Sequence, residues 1–249
     1  MSKDAIGDRM KDFYENRARL SLPRRSYTIV RVDGKAFHTY TRGLKRPFDQ
    51  GLIKDMNATA AYMCKNMMGA KFAYVQSDEI SILLTDFEDT KTQAWFDNNL
   101  QKICSVSASM ATRAFNEARL DRWMKDKTAP FKWAEFDARV FQVPIKSEVE
   151  NYFIWRQQDA SRNSIQAMAQ SLFSPKQLNG KNTSDLQEMC FQKGINWNDY
   201  SYREKRGTVV GKIKVEQNGA ERSRWEAIET PIFTQERGFL QSLIPSMEV

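Results

Sequence analysis

Four segments between residues 27 and 84 constrain the fold most, because in order they have the patterns of a strand, a helix and two further strands. The apolar run 27–32 ends at Asp33-Gly34, and the stretch from Asp49 to Met68 has helical periodicity. Two further apolar runs flank the polar break 76–79, which predicts a tight hairpin. In a ferredoxin-like β-α-β-β-α-β unit, the first strand lies antiparallel beside the third. The succession therefore predicts an α+β sheet in which Asp33 and Asp78 lie together at one edge.

The pairing of Asp33 with Asp78 is the main functional signal in the residues themselves. Each has a simpler interpretation alone, since Asp-Gly after a strand is commonly a turn and Ser77-Asp78-Glu79 is commonly a solvated hairpin tip. Two carboxylates at one sheet edge are, however, a ligand set that can hold Mg²⁺ for phosphoryl or nucleotidyl transfer. Their combination favours this chemistry over two unrelated turns.

The first part of the chain, residues 1–144, is predicted to be this core with an added N-terminal helix. That helix is expected over Ile6–Leu20, and a long helix with an apolar stripe is expected from about Thr90 to Ala118. The alternating segment that ends at Pro144 predicts the fourth strand. We expect the polar face of this strand, with Asp137 and Arg139, to face solvent.

Residues 145–249 are predicted to form a helical and hairpin extension packed on the core in one compact unit. Ser147 with Glu150 three positions later predicts a capped helix. A second face of that helix carries polar and aromatic side chains that are unusual for a bare surface. Two short helices are expected around Asn179-Gly180-Lys181, and a hairpin is expected around Asn218-Gly219.

The charge balance suits a polyanionic partner without requiring one. The 249 residues carry 38 Lys and Arg against 31 Asp and Glu, for a net charge of +7, and many soluble enzymes are equally basic. The excess concentrates in residues 201–225. A solvated hairpin face explains this stretch slightly better than a phosphate track, and both interpretations stay open. The basic residues are Arg203, Lys205, Arg206, Lys212, Lys214, Arg222 and Arg224.

Cysteine and histidine usage limits the kind of metal site. The three cysteines are far apart in the sequence, and His38 is the single histidine. A His-based cluster is therefore excluded, so any metal is expected to be a hard ion with oxygen ligands. No apolar segment approaches membrane-spanning length, so we expect no membrane partner and a reducing cytoplasmic location.

With these residues in view, the chain resembles the tRNA-His guanylyltransferase family and its 3′–5′ RNA polymerase relatives. The order of the matching segments is that of the family, and they extend over about residues 8 to 210. Asp-Gly-Lys-Ala-Phe-His followed by Gln-Ser-Asp-Glu is the most specific combination. The segments are DRMKDFYE, RVDGKAFHTYTRGLKRPFD, AYVQSDEISILL, FDARVFQVP, WRQQDASRN, GINWND and RGTVV.

The resemblance implies a polymerase-type palm that adds nucleotides to the 5′ end of a tRNA, with GTP and ATP as substrates and two or more Mg²⁺ ions. It implies that Asp33, Asp78 and the Gly34 carbonyl are metal ligands, with Glu79 as a neighbouring catalytic residue. It also implies a homotetramer. Nucleotide contacts are expected from Lys35, Ala36, Phe37, His38, Arg46, Asp49 and Ser77. For His38, a purely structural role is the alternative.

Contacts to tRNA are expected in the second half of the chain. The later motifs of the family imply such a role for Lys181, Asn198 and Arg206. The basic stretch adds further candidates if it is a phosphate track. These are Arg203, Lys205 and Lys212.

One segment departs from the eukaryotic pattern. Ser161-Arg162-Asn163-Ser164 stands where eukaryotic members have His-Ile-Asn-Asn, a motif that accompanies reading of the tRNA-His anticodon. The departure favours the branch that repairs truncated tRNA 5′ ends by template pairing, with guanosine addition to tRNA-His as the alternative. A nucleotidyl cyclase and a non-catalytic RNA-binding module are less favoured. A cyclase gives no reason for the basic second half, and the motif typical of RNA-binding ferredoxin-like sheets is absent from the sequence.

Overall fold

The computed structural model of the protein describes residues 4–127, 131–217 and 220–247. Within them, six strands form one sheet in the order β4-β1-β3-β2-β5-β6, and every neighbouring pair is antiparallel. The strands are β1 (Tyr27–Gly34), β2 (Ala70–Gln76), β3 (Glu79–Leu84), β4 (Phe136–Val143), β5 (Thr208–Gln217) and β6 (Ala220–Ile228).

The first four strands have the predicted ferredoxin-like arrangement. The order β4-β1-β3-β2 places β1 beside β3, with Asp33 paired to Glu79 across the two strands. On the other side of β1, Asp33 is paired to Asp137 of β4. The prediction of a palm-type α+β sheet is therefore confirmed.

Nine α-helices surround this sheet in the described residues. Those that bear on the site are α3, α4 and α5, together with the short helices α2 and α8. The helices are α1 (Ala5–Phe13), α2 (Phe37–Tyr40), α3 (Gln50–Asn66), α4 (Leu100–Lys125), α5 (Lys146–Gln170), α6 (Pro175–Leu178), α7 (Thr183–Phe191), α8 (Tyr202–Arg206) and α9 (Arg237–Leu243).

Helix boundaries differ from the prediction where local capping overrides apolar periodicity. The helix expected from Thr90 begins only at Leu100, because residues 96–98 have left-handed backbone and the Asn99 side chain accepts a bond from Lys102 N at 2.9 Å. At the other end the same helix continues to Lys125.

The predicted end of the first helix and the predicted cap of α5 were also wrong. The α-helical part of the N-terminal helix ends at Phe13, and a 3-10 turn follows over Glu15–Ala18. Helix α5 begins at Lys146 and its cap residue, Ile145, makes no side-chain capping bond, so Ser147 is not the cap. The two short helices around residue 180 are confirmed. The paired strands of the late hairpin are confirmed too, although its turn at Asn218-Gly219 lies outside the described residues.

The sheet separates two apolar cores. Helices α3 and α4 pack on one face, where Val30, Met56 and Phe115 are fully buried. Helix α5 packs on the other, where Phe72 and Phe153 are fully buried. Since β5 pairs with β2, residues 145–249 add strands to the sheet that residues 1–144 begin. None of the described helices combines the length and apolarity needed to cross a membrane.

Candidate active site

Three acidic side chains lie in register at the ends of neighbouring strands. Asp33 at the end of β1 pairs with Asp137 of β4 on one side and with Glu79 of β3 on the other. The hairpin turn that carries Asp78 is tied to the same place, because Gly34 N donates to Asp78 O at 3.1 Å. A side chain at Gly34 is excluded, since its Cβ would lie 2.2 Å from the Phe37 ring. The predicted convergence of Asp33 and Asp78 on one sheet edge is therefore present.

The charges at this edge repel one another. Burial raises the pKa of Asp78 to about 6, and the neighbouring Asp33 contributes to the rise. Burial likewise raises the pKa of Asp33, followed by the effects of Glu79 and Asp137. A cation is the ligand that relieves such a cost. Two carboxylates and the Gly34 carbonyl, all oxygen donors, fit Mg²⁺, although no group of three or more His, Cys, Asp or Glu side chains in the described ranges forms a metal site.

Glu79 has a different environment from the two aspartates. Arg156 of α5 binds its carboxylate at both oxygens, at 2.8 and 2.7 Å, inside the protein. Gln76 and Ser81 donate to the same carboxylate at 3.3 and 3.2 Å. This arrangement holds α5 against the hairpin that carries Asp78. The catalytic role of Glu79 stays a prediction. The sequence shows a polar face on this helix but does not predict that Arg156 anchors Glu79.

The hairpin turn places Ser77 in strained backbone. Its φ is +49°, in the left-handed region that two-residue hairpin turns require at one or both positions. Asp78 follows directly, so the turn orients a hydroxyl and a carboxylate next to one another. Such strain at a non-glycine residue is typical of functional positions.

A cavity of about 340 Å³ opens beside this turn. Its walls come from the segment 41–53, the second half of α5, and α8 with the residue that follows it. Four of the seven predicted nucleotide residues line it: His38, Arg46, Asp49 and Ser77.

The other three predicted nucleotide residues do not line the cavity. The Phe37 side chain is only 5% exposed and packs in the aromatic core, so any contact with a nucleotide must come from its backbone. Ala36 has a left-handed backbone and precedes α2. Lys35 is exposed and forms an ion pair with Glu135 at 2.5 Å.

The cavity also contains residues that the sequence did not assign to a nucleotide. Asn163 and Ser164 line it, and they belong to the segment that departs from the eukaryotic motif. It is also lined by Arg203 of α8 and by Gly207, the residue after this helix. A side chain at Gly207 is excluded, because φ is +75° and its Cβ would lie 2.4 Å from Val75 O. This close approach of backbones joins the α8 wall to strand β2.

The predicted tRNA residues have mixed positions. Lys181, Asn198 and Lys212 are exposed, and Arg206 is partly buried beside Trp197. Lys205 is not available to a phosphate: it is only 9% exposed and its ammonium donates to Asn198 O at 2.7 Å. The predicted contact of Lys205 with tRNA is therefore withdrawn, because folding uses its charge internally.

Comparison with known proteins connects this geometry to one family. The sequence profile described as Thg1, tRNAHis guanylyltransferase, matches residues 7–144, the part that carries both aspartates. The chain is 30% identical over 199 residues to the tRNA(His) guanylyltransferase of Debaryomyces hansenii, covering 74% of this chain and 73% of the relative.

Solved structures agree over almost the whole chain. A bacterial tRNA(His) guanylyltransferase (Thg1)-like protein in complex with ATP is 49% identical, with a TM-score of 0.83, and the match covers 96% of this chain and 99% of the other. The corresponding complex with GTP is 48% identical, with a TM-score of 0.82 and the same coverage. The sequence profile matches more than half of the chain, the curated relative and these solved structures match most of it, and the chain belongs to the tRNA(His) guanylyltransferase family.

Proposed function

We propose that the protein is a nucleotidyltransferase that adds nucleotides in the 3′–5′ direction to the 5′ end of truncated tRNA, copying the opposite strand. The observation that carries this proposal is the junction of the carboxylate edge with the nucleotide-sized cavity at Ser77-Asp78. One side of the junction suits a metal, and the other suits a nucleoside triphosphate. The similar bacterial structures, in complex with ATP and with GTP, support nucleoside triphosphates as substrates.

The proposed roles follow from where each side chain lies. Asp33, Asp78 and the Gly34 carbonyl would hold Mg²⁺, and Arg156 fixes Glu79 so that the hairpin keeps its position. Arg46 and His38 supply donors along the cavity for the triphosphate and sugar, and the Ser77 hydroxyl oxygen lies beside them as an acceptor. When bound, the metal would lower the pKa of the attacking hydroxyl and neutralise the charge of the leaving pyrophosphate.

Templated repair is favoured over guanosine addition to tRNA-His by the segment 161–164. Ser161 and Ser164 bond to backbone carbonyls within the helix, at Gln157 O and Ser161 O. Ser164 also donates to Lys205 O and accepts from Trp197 Nε1, which joins α5 to α8 and the segment before it. These bonds use the hydroxyl groups of both serines within the fold, while Arg162 and Asn163 between them are exposed. In this proposal, selection comes from the acceptor end of the tRNA through base pairing.

The test uses a tRNA other than tRNA-His that is shortened by one 5′ nucleotide. The opposing base is varied through all four choices, and the added nucleotide is identified after incubation with all four triphosphates and Mg²⁺. Repair predicts that the added nucleotide follows the opposing base and that addition stops when the acceptor stem is complete. The full-length form of the same tRNA is the matched control, and it should not be extended.

Guanosine added whatever lies opposite, or a strong preference for the tRNA-His anticodon, would restore the guanylyltransferase alternative. A cyclic nucleotide formed without RNA would indicate a cyclase. No turnover with any RNA, together with RNA binding, would leave only a binding module.

We also propose the cytoplasm as the working location and a homotetramer as the assembly. The three cysteines, Cys64, Cys104 and Cys190, are all free thiols, which is compatible with a reducing compartment. Light scattering of the purified protein at several concentrations would give the assembly state directly, and a monomer at all of them would contradict the tetramer.

A further inference from the structure

Two arginines lie beside the carboxylate edge on the same face of the sheet. Arg31 is two residues before Asp33 on β1, and Arg139 is two residues after Asp137 on β4, so each arginine shares a face with its aspartate. The two strands bring Arg31 directly opposite Arg139, just as they bring Asp33 opposite Asp137.

Like charges directly opposite on neighbouring strands destabilise a sheet. A negative charge near Arg31 and Arg139 would therefore reduce their repulsion. The aspartates supply part of it at long distances: Arg139 Nη2 lies 3.6 Å from Asp33 Oδ2, and Arg139 Nε lies 3.9 Å from Asp137 Oδ1. The Arg31 Nε is buried and has no hydrogen-bond partner. Neither guanidinium has the short, two-pronged contact that Arg156 makes with Glu79. Both guanidinium groups therefore have N–H donors available to bind an anion.

Along β1, Asp33 lies between Arg31 and the nucleotide cavity. The chain runs from Arg31 through Asp33, near the end of β1, to His38, which lines the cavity together with Ser77 of the adjoining hairpin turn. A nucleotide in the cavity would thus have the Asp33 carboxylate between it and the arginine pair. An in-line displacement needs the attacking and leaving oxygens on opposite sides of the attacked phosphorus, so the two reactants must approach the metal site from different directions.

We propose that Arg31 and Arg139 form a binding site for the phosphates at the 5′ end of the RNA that is extended. This inference rests on the proposed function and names the subsite of the second substrate. In the reaction, the 3′-hydroxyl oxygen of the nucleotide forms a bond to the α-phosphorus of the activated 5′ end. The bond from that phosphorus to the leaving pyrophosphate or AMP breaks with its electron pair, and the hydroxyl proton passes to solvent. The arginines would hold the phosphorus in place and neutralise its charge.

The test measures RNA binding without nucleotide, so it does not depend on turnover. One truncated tRNA is prepared with a 5′-triphosphate, a 5′-monophosphate or a 5′-hydroxyl, and its affinity is measured in Mg²⁺ for the wild type, Arg31→Gln and Arg139→Gln. The wild type should bind the phosphorylated forms more tightly than the hydroxyl form. Each variant should weaken binding of the phosphorylated forms by about tenfold or more, the loss typical of a charge-assisted contact, and change binding of the hydroxyl form less than about twofold.

Arg224→Gln is the matched control. Arg224 is also a half-exposed arginine on a strand, with an ion pair at 2.8 Å to an acidic residue two positions along, Glu226. Its loss should affect the phosphorylated and hydroxyl forms equally. Because Arg139 is 54% exposed, its variant should fold even if Arg31→Gln does not.

Variants that keep the full preference for 5′-phosphate would overturn the inference. If the wild type then still adds nucleotides to truncated tRNA, the proposed function stands and only the subsite is wrong. A wild type that neither distinguishes the three 5′ ends nor adds nucleotides would overturn both.

Discussion

Asp78 should make the protein less stable, and its replacement by Asn should reveal by how much. The pKa of this carboxyl is raised from 3.8 to about 6, mainly by burial and then by Asp33. Each pKa unit corresponds to about 1.4 kcal/mol, so the ionised side chain costs at most about 3 kcal/mol of folding free energy. Because Asn carries no charge and can still accept a bond from Ser77, Asp78→Asn should regain most of this energy.

The effect of Asp78 on stability depends on pH, because the pKa of this carboxyl is higher in the folded than in the unfolded protein. Below pH 3.8 the carboxyl is protonated in both states, and no cost exists. Between 3.8 and about 6 the unfolded chain releases the proton first, so wild-type stability falls as the pH rises, and above 6 the full cost remains. The difference between Asp78→Asn and wild type should therefore grow from near zero at pH 4 to its maximum above pH 6.

The assay is denaturant unfolding across pH 4 to 8 with a chelator present, so that no divalent ion offsets the charge. At pH 8 the variant should also melt roughly 6–12 °C higher, since about 1 kcal/mol shifts the midpoint by 2–4 °C at this chain length. Asp121→Asn, an exposed exchange on α4, is the control and should stay within about 0.5 kcal/mol. A variant that is less stable than wild type at pH 8, or a difference that does not change with pH, would refute the reasoning.

Three further outcomes are expected. Asp33→Ala and Asp78→Ala should each lower nucleotide addition by about 10³-fold or more with an unchanged circular dichroism spectrum, because a lost metal ligand removes several kcal/mol; near wild-type turnover in Mg²⁺ would contradict the metal assignment. Arg156→Met should cost about 3–5 kcal/mol in denaturant unfolding by leaving Glu79 buried and unpaired, and adding Glu79→Gln should recover much of the loss; additive losses would exclude this coupling. Removing three exposed hairpin charges should lower the slope of log affinity for tRNA against log salt by about 2 and leave GTP affinity unchanged, whereas an unchanged slope would place the RNA track elsewhere. These charges are Lys212, Lys214 and Arg222.

The parts of the fold that could be predicted are those fixed by local pattern. Alternating apolar runs and the turn at Ser77-Asp78 determine the strands, and topology then brings Asp33 to Asp78. The start of α4 could not be read from the apolar stripe, because the Asn99 cap decides it. The partner of Arg156 was also out of reach, since it lies 77 positions away in the sequence.

The environment of Lys205 could not be predicted from the sequence either. In the sequence it is one basic residue among several, and only the folded backbone brings the Asn198 carbonyl to its ammonium. The solvent-facing prediction for Asp137 and Arg139 was right about exposure but did not anticipate that strand register would place them beside Asp33. Sequence pattern thus predicts where a chain turns, whereas side-chain partners depend on contacts between distant segments.

The cavity walls come from three parts of the chain, residues 38–53, the turn at 76–77 and residues 160–207. During synthesis on a ribosome, both aspartates would emerge long before residues 160–207, and Gly207 is the last residue to arrive. A nascent chain would therefore carry the carboxylates of Asp33 and Asp78 for much of its synthesis before the cavity beside them could close. The cavity is complete only when α8 reaches β2, so its formation requires that the chain through Gly207 has been synthesised and folded.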